Sequence, residues 1–219
     1  MAMKRLLSTL VIVLVAASAV RGDSWPAAQV REVFSQSREW FVRVTPGTSL
    51  GDTVGFKSAA KGRYASAEFY RRGEDRSYRL TREATLHNPI APVDFLVTDR
   101  GYLVTIDNWH NAGFGTVLAA YSPEGTVVFS SRLQDLFSPD EIERFRHSIS
   151  SIWWRNGTAY VRDGQQSIYV GVEPESAGVI LEPETGRWQY CEPRSGTHLC
   201  RSSNADRVWR AFREPALRH

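Results

Sequence analysis

Lysine is scarce in this chain: of 27 cationic residues only Lys4, Lys57 and Lys61 are lysines, and the rest are arginines. We read that bias as codon usage in a GC-rich genome rather than as phosphate recognition, which would need the arginines clustered. Cysteine is rarer still, with Cys191 and Cys200 alone. Glycine-rich phosphate loops, His-Glu-x-x-His and Gly-x-Ser-x-Gly are all missing, which removes the best-marked nucleotide, zinc-protease and serine-hydrolase signatures. Gly113-Phe114-Gly115 is too short for a cofactor fingerprint and reads as turn geometry. No cofactor and no metal site is expected. The longest apolar run, Leu6 to Val15, falls short of the about 20 residues a membrane-spanning helix requires.

That run has a different use. Lys4 and Arg5 precede it, and Ala16, Ala17, Ser18 and Ala19 follow, which is the three-part layout of a secretory signal peptide. Residues 1–22 are therefore expected to be a signal peptide and residues 23–219 a single β-rich domain with a C-terminal disulfide loop and tail. No cysteine follows the apolar run, so a lipid-anchored N-terminus is not expected, nor is a transmembrane segment in the mature chain. Lys4, Arg5 and Arg21 lie before position 23 and no acid does, so cleavage after Gly22 leaves 24 charges of each sign. The basic whole-chain balance is thus poor support for nucleic-acid binding, and none is expected. The localisation implied is periplasmic or extracellular.

In an oxidising compartment an even cysteine pair reads as a disulfide closing a surface loop. Free thiols are the alternative. Zinc would need closer pairs or more ligands than His198 offers.

From Trp40 onward, short apolar runs are broken every eight to twelve residues by Gly, Pro, Asn or Asp, the rhythm of antiparallel β proteins. Val93–Thr98, Tyr102–Asp107, Thr116–Tyr121 and Thr126–Leu133 predict a four-strand meander, with turns at Asp99-Arg100-Gly101 and Ser122-Pro123-Glu124-Gly125. A second set is expected over Ser150–Arg155, Thr158–Val161, Ser167–Val172, Gly178–Leu181 and Arg187–Tyr190, with Asn156-Gly157 as a hairpin turn. A looser set lies upstream in Glu39–Val44, Arg63–Tyr70 and Ser77–Leu86. Leu103-Val104 and Val117 to Ala120 are apolar without alternation, as in sheets buried on both faces. The expected fold is all-β: four-stranded antiparallel meanders resembling β-propeller blades in an open or irregular stack, with one or two short helices. A two-sheet β-sandwich is the competing arrangement.

Ser138-Pro139-Asp140-Glu141 predicts a helix, with a capping serine, proline at the first helical position and Glu141 completing a capping box. Phe137 and Ile142 stand at the two positions of a hydrophobic staple. Val30–Trp40 and part of Arg201–His219 are weaker helix candidates.

Asn88-Pro89-Ile90-Ala91-Pro92-Val93-Asp94, Asp107-Asn108-Trp109-His110 and Ser148-Ile149-Ser150-Ser151-Ile152-Trp153-Trp154 together resemble strings of a group of secreted bacterial β-rich proteins that has no established activity. The resemblance covers roughly Glu39 to Trp154. It implies an exported β-rich protein with polar, tryptophan-containing turns.

The same strings concentrate the reactive side chains. Asp107 and His110, three apart at a strand end, are the first candidates for acid–base work, with Asp94 and His147 as further members. Asn108, Trp109 and Trp154 are the candidate ligand contacts. In the structural alternative, Asp107 and Asn108 close the loop through backbone hydrogen bonds while the tryptophans pack. Seven tryptophans are many for this length, and one lying in an open groove would offer a stacking platform. The leading functional expectation is a non-enzymatic binding or scaffolding protein of the bacterial envelope or extracellular space, with a glycan or an envelope protein as partner. The alternative is a hydrolase or lyase of envelope or extracellular polymers using the Asp107/His110 region.

Overall fold

The structure, a computed structural model, describes residues 25–162, 164, 166–173, 176–194, 197–202 and 210–212. The expected signal peptide at 1–22 lies outside the described residues, as do Trp209 and most of the C-terminal tail.

Three antiparallel meanders follow one another along the chain. The first sheet runs β1 (Arg31–Phe34), β2 (Trp40–Thr45), β3 (Ser66–Arg72) and β4 (Tyr78–Thr85). The second runs β5 (Pro92–Val97), β6 (Leu103–Asn108), β7 (Thr116–Tyr121) and β8 (Val127–Arg132). Two short helices, α1 (Leu133–Leu136) and α2 (Pro139–Arg144), and the two-residue pair β9 (Arg146–His147) and β10 (Ile152–Trp153) lead to the third sheet. That sheet is β11 (Arg155–Val161), β12 (Ile168–Val172), β13 (Ala177–Glu182), β14 (Arg187–Arg194), β15 (Thr197–Arg201) and β16 (Arg210–Phe212). In each sheet spatial order equals chain order, as short hairpin connections dictate.

The second sheet is the middle layer. Side chains alternate along a strand, and here both sets are buried. Leu103, Ala119 and Tyr121 pack with Val42, Val44 and Phe69 of the first sheet. Val104, Ile106, Leu118 and Ala120 pack with Ile168, Val170, Val179 and Leu181 of the third. Every residue of β6 is buried, so its sequence shows no alternation for the reason inferred from the apolar runs. The result is an open stack of blade-like meanders.

The helix starting at Ser138 forms as the residue types require. Ser138 Oγ accepts from Glu141 N, Glu141 Oε2 accepts from Ser138 N at 2.7 Å, and Phe137 and Ile142 both join the core between the second and third sheets.

Three expectations are corrected. Residues 31–34 form β1 rather than a helix, because Arg31 to Phe34 pair in register with Val44 to Phe41 and Ser35 closes the turn through Trp40. Asn156-Gly157 makes no hairpin turn. It is a bulge inside β11: Arg155 pairs with Val172 and Ala159 with Val170, so three residues oppose Gly171 alone. Asn156 Oδ1 accepts from Thr158 N, a local turn that bends the strand without reversing it. The cysteine pair forms the expected disulfide, joining direct cross-strand partners in β14 and β15. Within the tail, Arg210–Phe212 is a strand paired with β15 and not a helix.

Candidate functional site

At the end of β6 the backbone turns left-handed twice, at Asp107 (φ 58°) and His110 (φ 73°). For a residue with a Cβ this conformation costs about 1–2 kcal/mol, so neighbouring contacts must hold it. Asp107 supplies most of them. Its Oδ1 accepts from Trp154 Nε1 at 2.8 Å and from Gly113 N at 2.9 Å, and its Oδ2 lies 2.9 Å from Arg155 Nε. The residue is only 2% exposed. Burial pushes its carboxyl above the ordinary carboxylate range, while the Arg155 guanidinium and the two N–H donors pull it back. Gly113 can come this close because it is a glycine at φ 79°; a Cβ there would fall 2.6 Å from the Ile152 carbonyl oxygen.

The asparagines are used in the same way. Asn108 donates through Nδ2 to Phe114 O at 2.7 Å and Thr116 O at 2.9 Å. Its Oδ1 accepts from Asn88 Nδ2, which also donates to the Asp107 carbonyl. Asn111 Oδ1 accepts from Val54 N at 2.8 Å, and its Nδ2 donates to Val54 O and Ser150 O. The loop is thereby tied to the first sheet's connection, the middle sheet and the approach to the third.

Arg155 also reaches Asp94, with Nη1 3.8 Å from Oδ2, and Arg31 Nη2 lies 3.5 Å from Asp94 Oδ1. Arg31, Asp94 and Arg155 stand in β1, β5 and β11, the first strand of each sheet. One chain of charges therefore laces the three layers and ends on Asp107.

His110 belongs to a different environment. Its ring faces Trp25 at 6.1 Å and Phe56 at 5.7 Å, and burial lowers its pKa. Trp25 lies 5.3 Å from Trp109 and stacks within 7° of parallel on Trp153 at 6.2 Å. Trp109 Nε1 donates to Pro26 O at 2.9 Å, and the Arg146 guanidinium covers Trp153. Trp153 and Trp154 part company: Trp154, between β10 and β11, is fully buried against Phe137, and Trp153 is half-buried in the aromatic group. His147 is exposed on β9, with Nε2 3.0 Å from Ile142 O.

The structure thus brings Asp94 and Asp107 to one arginine and sets His110 and His147 elsewhere. Arg155 and Asn88 are the members that sequence reasoning missed. Neither carries a local signal, because each acts across sheets. Among the described residues no group of three or more His, Cys, Asp or Glu is placed to hold a metal ion. A cavity of about 190 Å³ borders the loop, lined by Asp52, Tyr64, His87, Asn108, Asn111 and Phe114 among others. At its rim Lys61 and Ser49 hold the Asp52 carboxyl below its usual range.

No family model, no curated protein and no solved structure matches this chain.

The site can anchor backbone and present aromatic surface. Three donors, Trp154 Nε1, Gly113 N and Arg155 Nε, engage its buried carboxylate.

Proposed function

We propose that this protein is an exported bacterial binding or scaffolding module, which holds its partner by aromatic and neutral polar contacts and carries out no covalent chemistry. The observation that carries this reading is the triple engagement of Asp107 by Trp154, Gly113 and Arg155. It makes the Asp107 carboxylate a tie between layers, while His110 faces aromatic rings. Export to the periplasm or beyond draws support from the leader-like first 22 residues, from the resemblance to secreted β-rich proteins, and from a disulfide that an oxidising compartment would maintain.

The test combines binding and turnover on the protein expressed with its leader and purified after export. A panel of divalent metal ions, neutral oligosaccharides, and anionic and neutral envelope polymers is screened by thermal shift, and the polymers are assayed for released product. A ligand that binds the folded state raises the melting temperature by mass action. The expected result is such a shift with no product. Product release that vanishes in His110→Ala would overturn the reading in favour of a polymer hydrolase or lyase.

A further inference from the structure

On the outer face of the third sheet, β12 and β13 present tyrosine and paired glycines. Ile168, Val170 and Val172 point inward to the core, so Tyr169 and Gly171 point outward, and register places Gly178 directly beside Gly171. These two glycines leave a depression that neighbouring side chains lie down into. A Cβ at Gly178 would fall 2.2 Å from Cε2 of Tyr169, and one at Gly171 would fall 2.2 Å from Oδ1 of Asn156. The Tyr169 ring is pinned there by its hydroxyl, which donates to Ala177 O at 3.0 Å. Tyr160, its cross-strand partner, sits 5.1 Å away with rings tilted by 31° and is 48% exposed. The bulge at Asn156–Thr158 lays the Asn156 amide over Gly171 and places Thr158 in the same lining.

The geometry points to a binding site for a neutral glycan chain in the open cavity of about 410 Å³ lined by Asn156, Thr158, Tyr160, Tyr169 and Ser176. The proposal rests on the binding-module reading and adds to it a site remote in sequence from the Asp107 loop. The volume falls in the ~300–1,000 Å³ range of small-molecule sites. Among the described residues the lining holds two aromatic rings, one amide and two aliphatic hydroxyls, and no charged side chain. A pyranose presents an apolar C–H face and an equatorial rim of hydroxyls. The tyrosine faces suit the first, while the Asn156 amide and the Thr158 and Ser176 hydroxyls can donate to and accept from the second. A polyanion would find no cation in the lining to offset its charge. The bulge sets the spacing: without the extra residues, Asn156 and Thr158 would sit in the ladder, not above it.

The test uses protein made in a bacterial host, so that the Asn156-Gly157-Thr158 sequon stays unmodified. Affinity electrophoresis and titration calorimetry are run with maltoheptaose, cellohexaose, laminarihexaose and chitohexaose as neutral probes and with polygalacturonate as the anionic contrast. We expect at least one neutral probe to bind, and Tyr160→Ala to weaken it at least tenfold. Tyr160→Phe, which keeps the ring, should stay within about threefold of the parent, since the ring face supplies the stacking. Leu80→Ala, an exposed position on the first sheet, should bind as the parent does. Failure of all four neutral probes overturns the proposal, as does binding of polygalacturonate alone. Neutral binding that is indifferent to Tyr160→Ala overturns this site while leaving the binding-module reading standing. Cleavage of a probe would overturn that reading instead.

Discussion

Trp154 donates its indole N–H to the Asp107 carboxylate at 2.8 Å across 47 residues of sequence. The bond joins the end of β6, in the middle sheet, to the entry of the third, and both partners are buried. It converts what reads locally as reactive chemistry into a tie that holds a left-handed backbone in place.

Asp107→Asn should therefore destabilise the domain. The substitution keeps the size but removes the charge beside Arg155, and breaking one side of a buried ion pair costs about 3–5 kcal/mol. Trp154→Phe removes one of the two donors to Oδ1, and a hydrogen bond to a charged group is worth about 1.5–3 kcal/mol. Because the two share one bond, the double variant should lose less than the sum of the singles. Urea denaturation followed by far-ultraviolet circular dichroism measures all three. An Asp107→Asn protein as stable as its parent would show that the network is not a tie.

His110 sets a pH dependence of known sign. Burial among Trp25 and Phe56 lowers its pKa from the ordinary 6.5, so the fold favours the neutral ring. Above that value the contribution is present in full. As pH falls below it, the unfolded chain takes up the proton first, and stability drops until the lowered folded value is passed. His110→Gln should accordingly narrow the gap between melting temperatures at about pH 7.5 and about pH 5.5 relative to the parent. An unchanged gap would place the ring in water.

The Cys191–Cys200 bond links neighbours already paired in β14 and β15. Closing so short a loop stabilises by about 2–3 kcal/mol through the unfolded chain. Changing both residues to serine should lower the unfolding free energy from urea denaturation by that amount while the strand signal in circular dichroism persists. Loss of the strand signal would instead make the bond a requirement for folding.

The N-terminus of exported protein should lie between Val20 and Trp25 by intact mass. Trp25 packs on Trp109 and Trp153, so cleavage anywhere in that window retains the ring that completes the aromatic group. Recovery of a chain beginning at Met1 from the cytosol would remove the export reading.

Local rules were enough wherever one residue type had one job. Pro123 and Gly125 make the turn between β7 and β8, with Gly125 N donating to Ser122 O; Ser138 and Glu141 cap α2. They failed where the same dipeptide serves two geometries. Asn-Gly bends a backbone locally, and only the continued pairing of Ala159 with Val170 decides that β11 bulges instead of reversing. At Val30–Trp40 helix and strand patterns overlapped, and β2 arbitrated by offering a ladder.

The sequence by itself determined the strand periodicity, the helix cap, the cysteine pair, and the double burial of the middle sheet, because each follows from side-chain spacing within a few residues. What the Asp107 loop does was decided by tertiary structure alone. Asp107 and His110 are three residues apart, yet opposite turns of a left-handed loop send one to Arg155 and Trp154 and the other to Trp25 and Phe56. A carboxylate's role depends on which donors surround it, and Trp154 and Arg155 arrive at the entry of the third sheet, which only the stacking of the sheets brings to this loop.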